Sequence, residues 1–468
     1  MIANTSTLKD IDAELLERYE IRAPRYTSYP TAPQWSDSFG PDDYADHLQR
    51  LPDGPCETSL YLHLPFCRQR CTFCGCNVVI SKKPELAETY LAILETELDL
   101  TLQRVPSGTS LQIQQLHWGG GTPNYLTPDQ MIRVHRMISD RFEILPQAEI
   151  ALEMDPRVLN RAQVDTLAGL GFNRASFGLQ DTNSEVQKAV NRVHSVERVQ
   201  ECIEWVRSAG FMSVNLDLIY GLPFQTTASW AQTLADMDIL KPDRVAMYGF
   251  AFIPTKMRQQ KYMSPESLPG PQQRFEQFLA GLDWFTAHDY EYIGLDHFSL
   301  RDDELALAYR DHTLQRNFMG YTTRAGTVLF GFGTSAITNL QSCFVQNNKH
   351  LAGHERSVSN GQLPVERGMS LSRDDQMRNR IIQELMCFNS LDMSGIGAEF
   401  EIDFASTFSR ELEALHAMSD DGLLTIEGDR IQTTLLGHIL LRNVAATFDA
   451  YLADETEAGQ APVYSKTI

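Results

Sequence analysis

The amino-acid sequence predicts an α/β protein in which repeated strand-helix units surround a parallel sheet. Three observations point there. From about residue 58, short β-type runs alternate with amphipathic helical stretches, six units in all. The chemically unusual residues fall at or just after the ends of those runs, where the loops of parallel α/β sheets carry chemistry. The chain, at 468 residues, is long enough for one large domain with smaller attachments.

The six predicted strands are SLYLHLP (59 to 65), IQQLHW (113 to 118), AEIALEM (148 to 154), RASFGLQ (174 to 180), VNLDLIY (214 to 220) and RVAMYGF (244 to 250). After Pro84, Leu86, Tyr90, Leu94 and Leu98 recur four apart, the spacing of one helix face. Thr127 and Pro128 read as the N-cap and first residue of another helix. YEYIGLDHF (290 to 298) reads as one further strand after a helix near 271 to 288. Right-handed crossovers can close such units into a whole or partial barrel or leave them doubly wound, and periodicity does not choose.

Beyond about residue 345 the alternation stops. HERSVSNGQLPVERG reads as a polar connector, a helix follows from Ser372, and DGLLTIEGDRIQTT reads as a hairpin turning near Gly428 and Asp429. Helices followed by a hairpin resemble a winged-helix module. Asp420, Asp421, Glu427 and Asp429 give that hairpin negative charge, which suits a structural cap better than a DNA reader. The expected division is an N-terminal arm over 1–55, the sheet domain over 56–345 and a mostly helical C-terminal cap over 346–468.

Hydrophobic residues at 43% and charged residues at 22% are the balance of a globular protein. A formal charge of -21 argues against broad binding to nucleic acid or anionic membrane, and any anionic substrate needs a local basic pocket. The N-terminal residues lack a basic stretch followed by an apolar run, and no window approaches about 18 consecutive apolar residues. A cytoplasmic location without a membrane span is expected.

Four of the eight cysteines, Cys67, Cys71, Cys74 and Cys76, fall within ten residues. Cys56, Cys202, Cys343 and Cys387 are scattered and read as small apolar residues. Cys67-x3-Cys71-x2-Cys74 puts three thiolates on one loop, able to grip three corners of a cube-shaped iron-sulfur cluster and leave the fourth iron open. The competing arrangement is a zinc site with Cys76 as fourth ligand, although zinc loops favour CxxC pairs set far apart. Asp217 lies in a run otherwise apolar on both sides, so it is either paired or functional.

CRQRCTFC, with an aromatic residue before its last cysteine and a βα-repeat chain around it, resembles the signature of radical S-adenosylmethionine enzymes. That resemblance implies a [4Fe-4S] cluster whose open iron is chelated by the methionine part of S-adenosylmethionine, and a 5'-deoxyadenosyl radical as reagent. GGGTP (119 to 123) resembles the same family's loop for the amino group of that cofactor. YLHLPFCRQRCTFCGCN, HWGGGTP, EMDP, NLDLIYGLP, RNFMGYTT and PRYTSYPTA together resemble the oxygen-independent coproporphyrinogen III oxidases, from residue 24 to about 340.

The family resemblance implies a partial (β/α)6 TIM-like barrel and the oxidative decarboxylation of two propionates of coproporphyrinogen III to vinyls, giving protoporphyrinogen IX. It implies two S-adenosylmethionine molecules. Tyr61, Gly120, Glu153 and Ile337 match positions for the first, and Phe73, Gly121, Thr122, Gln180, Arg192, Asp217 and Ala251 match positions for the second. Cys76 then marks the oxidases rather than binding iron. A reductant such as flavodoxin or ferredoxin and a monomeric enzyme are expected.

Arg25, Tyr26, Tyr29 and Arg316 are candidates for the substrate carboxylates, and His63, His117 and His297 fall within or beside the matched motifs. Phe252, in YGFAFIP, departs from the family's Tyr-Ala-His-x-Pro. A haem-binding carrier and a haem-degrading radical enzyme are the alternatives within the same resemblance.

Overall fold

The computed structural model describes residues 13–324, 326–457, 464, 465 and 467. The first twelve residues of the expected N-terminal arm lie outside the described residues. The chain divides into two compact units. One is Ser36–Pro269 with Gly326–Ser370. The other gathers the described parts of Met1–Trp35, Gly270–Ala325 and Leu371–Ile468.

In the first unit, β1 (Gly54–Leu64), β2 (Thr109–Gly120), β3 (Glu143–Met154), β4 (Arg174–Gln180), β5 (Ser213–Tyr220) and β6 (Arg244–Gly249) pair in parallel in that order. These are the six expected strands of the partial (β/α)6 arrangement. On the other side of β1, β7 (Val328–Phe332) is also parallel, and β8 (Ile337–Asn339), β9 (Cys343–Asn347) and β10 (Val365–Ser370) continue antiparallel. Strands covered on both faces read as near-continuous apolar runs. In β5, accordingly, Val214, Leu216, Leu218 and Ile219 are all buried.

The crossover helix α1 (Pro84–Leu102) buries Ala87, Tyr90, Leu94 and Leu98, but Leu86 is 41% exposed. Each step of four residues overshoots a full turn by about 40°. Leu86 has therefore drifted off the stripe, and Ala87 takes its place. α2 (Pro128–Ser139) begins as expected, with Thr127 Oγ1 accepting from the Gln130 amide and Gln130 Oε1 accepting from the Thr127 amide.

The stretch expected to be a polar connector is ordered as a helix over Leu351–Ser359 and as β10. Its polar letters misled because His354 is completely buried against Glu97 of α1.

In the second unit, the single strand expected over 290–298 is a hairpin, Tyr290–Gly294 against His297–Leu300. Its turn passes through Gly294 and Leu295, both at positive φ. Ser372 caps the helix Arg373–Phe388, and the expected hairpin forms from Leu424–Glu427 and Arg430–Thr433 around Gly428. Tyr26 and Tyr29, expected to face substrate, instead belong to this unit's apolar core. Tyr26 donates to Asp449, and Tyr29 Oη accepts from the Ala450 amide. Their rings carry enough apolar area to override the polar motif around them. Arg25 pairs with Asp296, the Arg316 guanidinium lies 4.6 Å above the Tyr321 ring, and His297 meets the same ring edge-on. Among the described residues, no helix is long and apolar enough to cross a membrane.

Candidate active site

The chain leaves β1 through Phe66–Cys67, which pairs in parallel with Val79–Ile80, so the cysteine loop returns beside its own start. The Val79 amide donates to the Pro65 carbonyl and the Ser81 amide to the Cys67 carbonyl. Further along, the Thr72 amide and hydroxyl donate to Val190 and Ala189, at the end of the helix Ser184–Ala189. Gln259 donates to the Cys74 carbonyl. Four points of attachment hold the loop over the strand ends.

The loop covers a cavity of about 800 Å³. Cys67, Cys71, Cys74 and Cys76 line it together with Phe73, Gly120, Gly121, Thr122, Glu153, Gln180, Arg192 and Asp217. Eleven of the fourteen residues expected to bind metal or cofactor thus share one space. Two glycines form its floor. Gly120 has φ 110°, and a Cβ there would stand 2.6 Å from the His63 ring; at Gly121 it would stand 2.6 Å from the Pro65 carbonyl.

Three expected residues lie outside that lining. Tyr61, on β1, touches it through neighbours. Its hydroxyl is 3.1 Å from His63 Nδ1 and its ring stacks on His117 at 5.9 Å. His63 Nε2 lies 2.9 Å from the Asn77 carbonyl, so that nitrogen carries the proton and Nδ1 accepts from Tyr61. Ile337 packs its backbone over Gly331, the residue registered beside Tyr61. Ala251 is exposed after β6, with its carbonyl taken by Gln260.

The carboxylates differ in ways their surroundings explain. Burial pushes Glu153 up, but His117 at 3.5 Å and the Gly120 amide at 3.2 Å outweigh it and hold the carboxyl below its ordinary value. Among the described residues, Asp217 has only Asn215 as hydrogen-bond partner. Burial, then the charge of Glu153, raise it to about 7. Burial also pushes Asp155 up, but Arg192 and Arg157 bring it down to about 2. Gln180 holds a left-handed backbone at φ 62°, and its Oε1 is buried without a partner among the described residues. A polar atom of that kind, beside a cavity, is poised to accept from a ligand.

Burial raises the Cys67 thiol to about 11, and the Thr122 hydroxyl at 3.2 Å opposes that. Cys71 has two guanidinium groups near its sulfur, Arg192 at 3.6 Å and Arg157 at 3.7 Å. Cys76 is exposed and donates to the Cys74 sulfur, which lowers Cys74 and raises Cys76.

Among the described residues, no three His, Cys, Asp or Glu converge on the position of one metal ion. Thiolates gripping separate corners of a cube have no need to converge. An all-thiolate donor set flanked by guanidinium groups, on a loop arched over a cavity, fits an iron-sulfur cluster.

Arg157 was not singled out from the sequence, although the signal was there. It stands two residues after Asp155 across a proline, and Asp155 binds its guanidinium at 2.6 Å. Phe252 packs with Phe73 on the apolar cluster of Val186, Val190, Ile219 and Phe250. Where the family pattern has an imidazole, this chain thus extends the greasy wall behind Phe73.

Residues 61–237 match the model of the Radical SAM superfamily, and residues 371–440 match the HemN C-terminal domain. The parallel sheet and the three-cysteine loop define a radical S-adenosylmethionine enzyme. The chain is 40% identical to the oxygen-independent coproporphyrinogen III oxidase of Escherichia coli, over 96% of this chain and 98% of that one. It is also 40% identical to the protein of that name from Synechocystis sp., over 96% and 97%. The solved structure of coproporphyrinogen III oxidase from Escherichia coli, described as a radical SAM enzyme, superimposes with a TM-score of 0.89 at 39% identity, covering 94% of this chain and 99% of that one. The chain belongs to the family of oxygen-independent coproporphyrinogen III oxidases.

Proposed function

We propose that the chain catalyses the oxygen-independent oxidative decarboxylation of coproporphyrinogen III to protoporphyrinogen IX. The observation that carries this is the gathering of Cys67, Cys71, Cys74, Gly120, Glu153, Gln180 and Asp217 around one cavity, in a chain alike to the named oxidases along nearly its whole length. Cys67, Cys71 and Cys74 would hold three irons of a [4Fe-4S] cluster, which, together with S-adenosylmethionine, would supply the 5'-deoxyadenosyl radical that takes a hydrogen from the propionate β-carbon; CO2 and one electron then leave, the electron passing to a one-electron acceptor outside the chain.

The chain's own residues then bind and orient. Glu153, ionised and tied to the Gly120 amide, suits the ammonium or ribose hydroxyls of a first cofactor molecule, with Tyr61 and Ile337 alongside. Phe73, Gly121, Thr122, Gln180, Arg192, Asp217 and Ala251 would receive a second. Gln180 Oε1 supports this, being an acceptor that no described residue donates to. Arg192, held by Asp155 and the Gly178 carbonyl, presents a fixed positive charge to an incoming carboxylate. Asp217, at about 7, can give up its proton when a donor arrives. A cytoplasmic monomer fed by a one-electron reductant such as flavodoxin or ferredoxin completes the reading, with 1–55 as an arm and 346–468 as a cap.

The test is anaerobic reconstitution with iron and sulfide, followed by dithionite, S-adenosylmethionine and coproporphyrinogen III. Protoporphyrinogen IX and 5'-deoxyadenosine should form together. 5'-Deoxyadenosine without protoporphyrinogen IX would overturn the substrate, and tight stoichiometric haem binding without turnover would make the chain a carrier.

A further inference from the structure

The proposed reaction draws electrons from outside the chain, and the surface around the cysteine loop is unlike the rest of the molecule. The chain carries -21 overall, yet residues 58–84 contain Arg68, Arg70, Lys82 and Lys83 and no acidic residue. A second stretch, 244–265, contains Arg244, Lys256, Arg258 and Lys261 and again no acidic residue. The two stretches touch. Gln259 donates to the Cys74 carbonyl, and the Met257 side chain lies within van der Waals reach of Gly75.

Arg68, Arg70, Lys82, Lys83, Lys256, Arg258 and Lys261 are all exposed. Across from them, Lys188 and Glu185 on the helix that anchors Thr72 cancel each other. Two large apolar side chains stand out within this basic collar, Tyr262 at 91% exposure and Ile80 at 40%. Exposed tyrosine and arginine are enriched at protein interfaces, and one rimmed by lysines is expected to be small, transient and salt-sensitive.

We infer that this collar is the docking surface for an acidic one-electron donor protein. The inference rests on the proposed radical chemistry. One electron leaves the reduced donor, which is oxidised by one, and enters the cluster held by Cys67, Cys71 and Cys74, which is reduced by one. An acidic donor is repelled at long range by the chain's net charge. Inside the screening length of about 8 Å the local field dominates, positive on balance although exposed Glu85 and Glu266 border it, so the donor is captured beside the cysteine loop.

The test uses K83E/K256E/R258E/K261E, four positions that do not line the cavity, and separately Tyr262→Ala. Turnover of coproporphyrinogen III is driven either by reduced flavodoxin or by dithionite, and binding of oxidised flavodoxin to the metal-free chain is measured by calorimetry. The charge-reversed chain should lose about tenfold or more of its flavodoxin-driven rate at low salt. It should keep its dithionite-driven rate and its KM for coproporphyrinogen III, and it should no longer bind flavodoxin. Tyr262→Ala should weaken flavodoxin binding without altering the dithionite rate.

Unchanged flavodoxin binding and rate in the reversed chain would overturn the docking surface. A raised KM for coproporphyrinogen III with either reductant would overturn it in favour of substrate steering. Failure of the wild-type chain with dithionite would instead sink the proposed reaction itself.

Discussion

Glu97 and Glu153 each face a histidine in the same compact unit, His354 at 2.8 Å and His117 at 3.5 Å. Their surroundings separate them. Glu97 is 2% exposed, and its oxygens accept from the Gly333 amide, the Asn347 amide group and His354. Every partner is supplied by the chain, so the pair locks α1 to the strands and the helix around it. Glu153 leaves 43% of its side chain open to the cavity and, among the described residues, accepts only from His117 and the Gly120 amide, at 3.5 and 3.2 Å. The same two residue types close a scaffold in one place and leave valence for a ligand in the other.

The contrast can be broken or sharpened by substitution. The largest effect is expected at the thiolates. Cys71→Ser should lose bound iron on reconstitution and abolish 5'-deoxyadenosine formation, as read by iron analysis and chromatography. Next come the two glutamates. Glu97→Ala strands His354, Asn347 and the Gly333 amide in the interior, and should cost about 3 to 5 kcal/mol, seen as a lowered unfolding midpoint. Glu153→Ala should lower that midpoint by much less and weaken S-adenosylmethionine binding by about tenfold or more in equilibrium titration, the loss of a charge-assisted contact. Similar stability losses in both variants would erase the distinction between them.

Asp217 gives a pH-dependent effect of intermediate size. Its carboxyl rises from an ordinary value near 3.8 to about 7, so the folded chain holds a proton that the unfolded chain releases. The stabilisation is fully present below 3.8 and is lost as pH climbs through 7. Relative to Asp217→Asn, the wild-type chain should therefore lose stability between about pH 4 and pH 7 and run parallel above that. Denaturant unfolding at pH 5 and pH 8 checks the sign. The smallest effect is expected at the α2 cap. Thr127→Ala removes an N-cap far from the chemistry and should cost about 1 kcal/mol with turnover unaltered.

Much of this was readable before any coordinates. Six parallel strands leave long apolar runs, and their ends fall where chemistry belongs. Cys67, Cys71, Cys74, Gly120, Glu153 and Gln180, read at or just after strand ends, and Asp217, read inside the fifth strand, all line one cavity. What the sequence hid came from burial that crosses chain order. Tyr26 and Tyr29 sit in a motif that reads as a polar binding segment, yet Asp449 and Ala450, more than four hundred residues away, complete their hydrogen bonds. His354 looked like a connector residue because Glu97 stands in another part of the chain. The hairpin at 290–300 was masked because Leu295, an apolar residue, occupies a turn position that usually advertises itself with glycine or asparagine. Arg157 carried a local signal, two residues beyond Asp155 across a proline, that only its guanidinium contact with Asp155 made plain.

The proposed function requires three cysteines, and not four, to hold the metal. Iron analysis of the anaerobically reconstituted wild-type chain, of Cys76→Ser, and of single Cys67, Cys71 and Cys74→Ser variants tests it most directly. About four irons per chain in the wild type and in Cys76→Ser, with loss in each of the other three, is the expected result. Zinc in place of iron, or equal metal loss on removing Cys76, would contradict it.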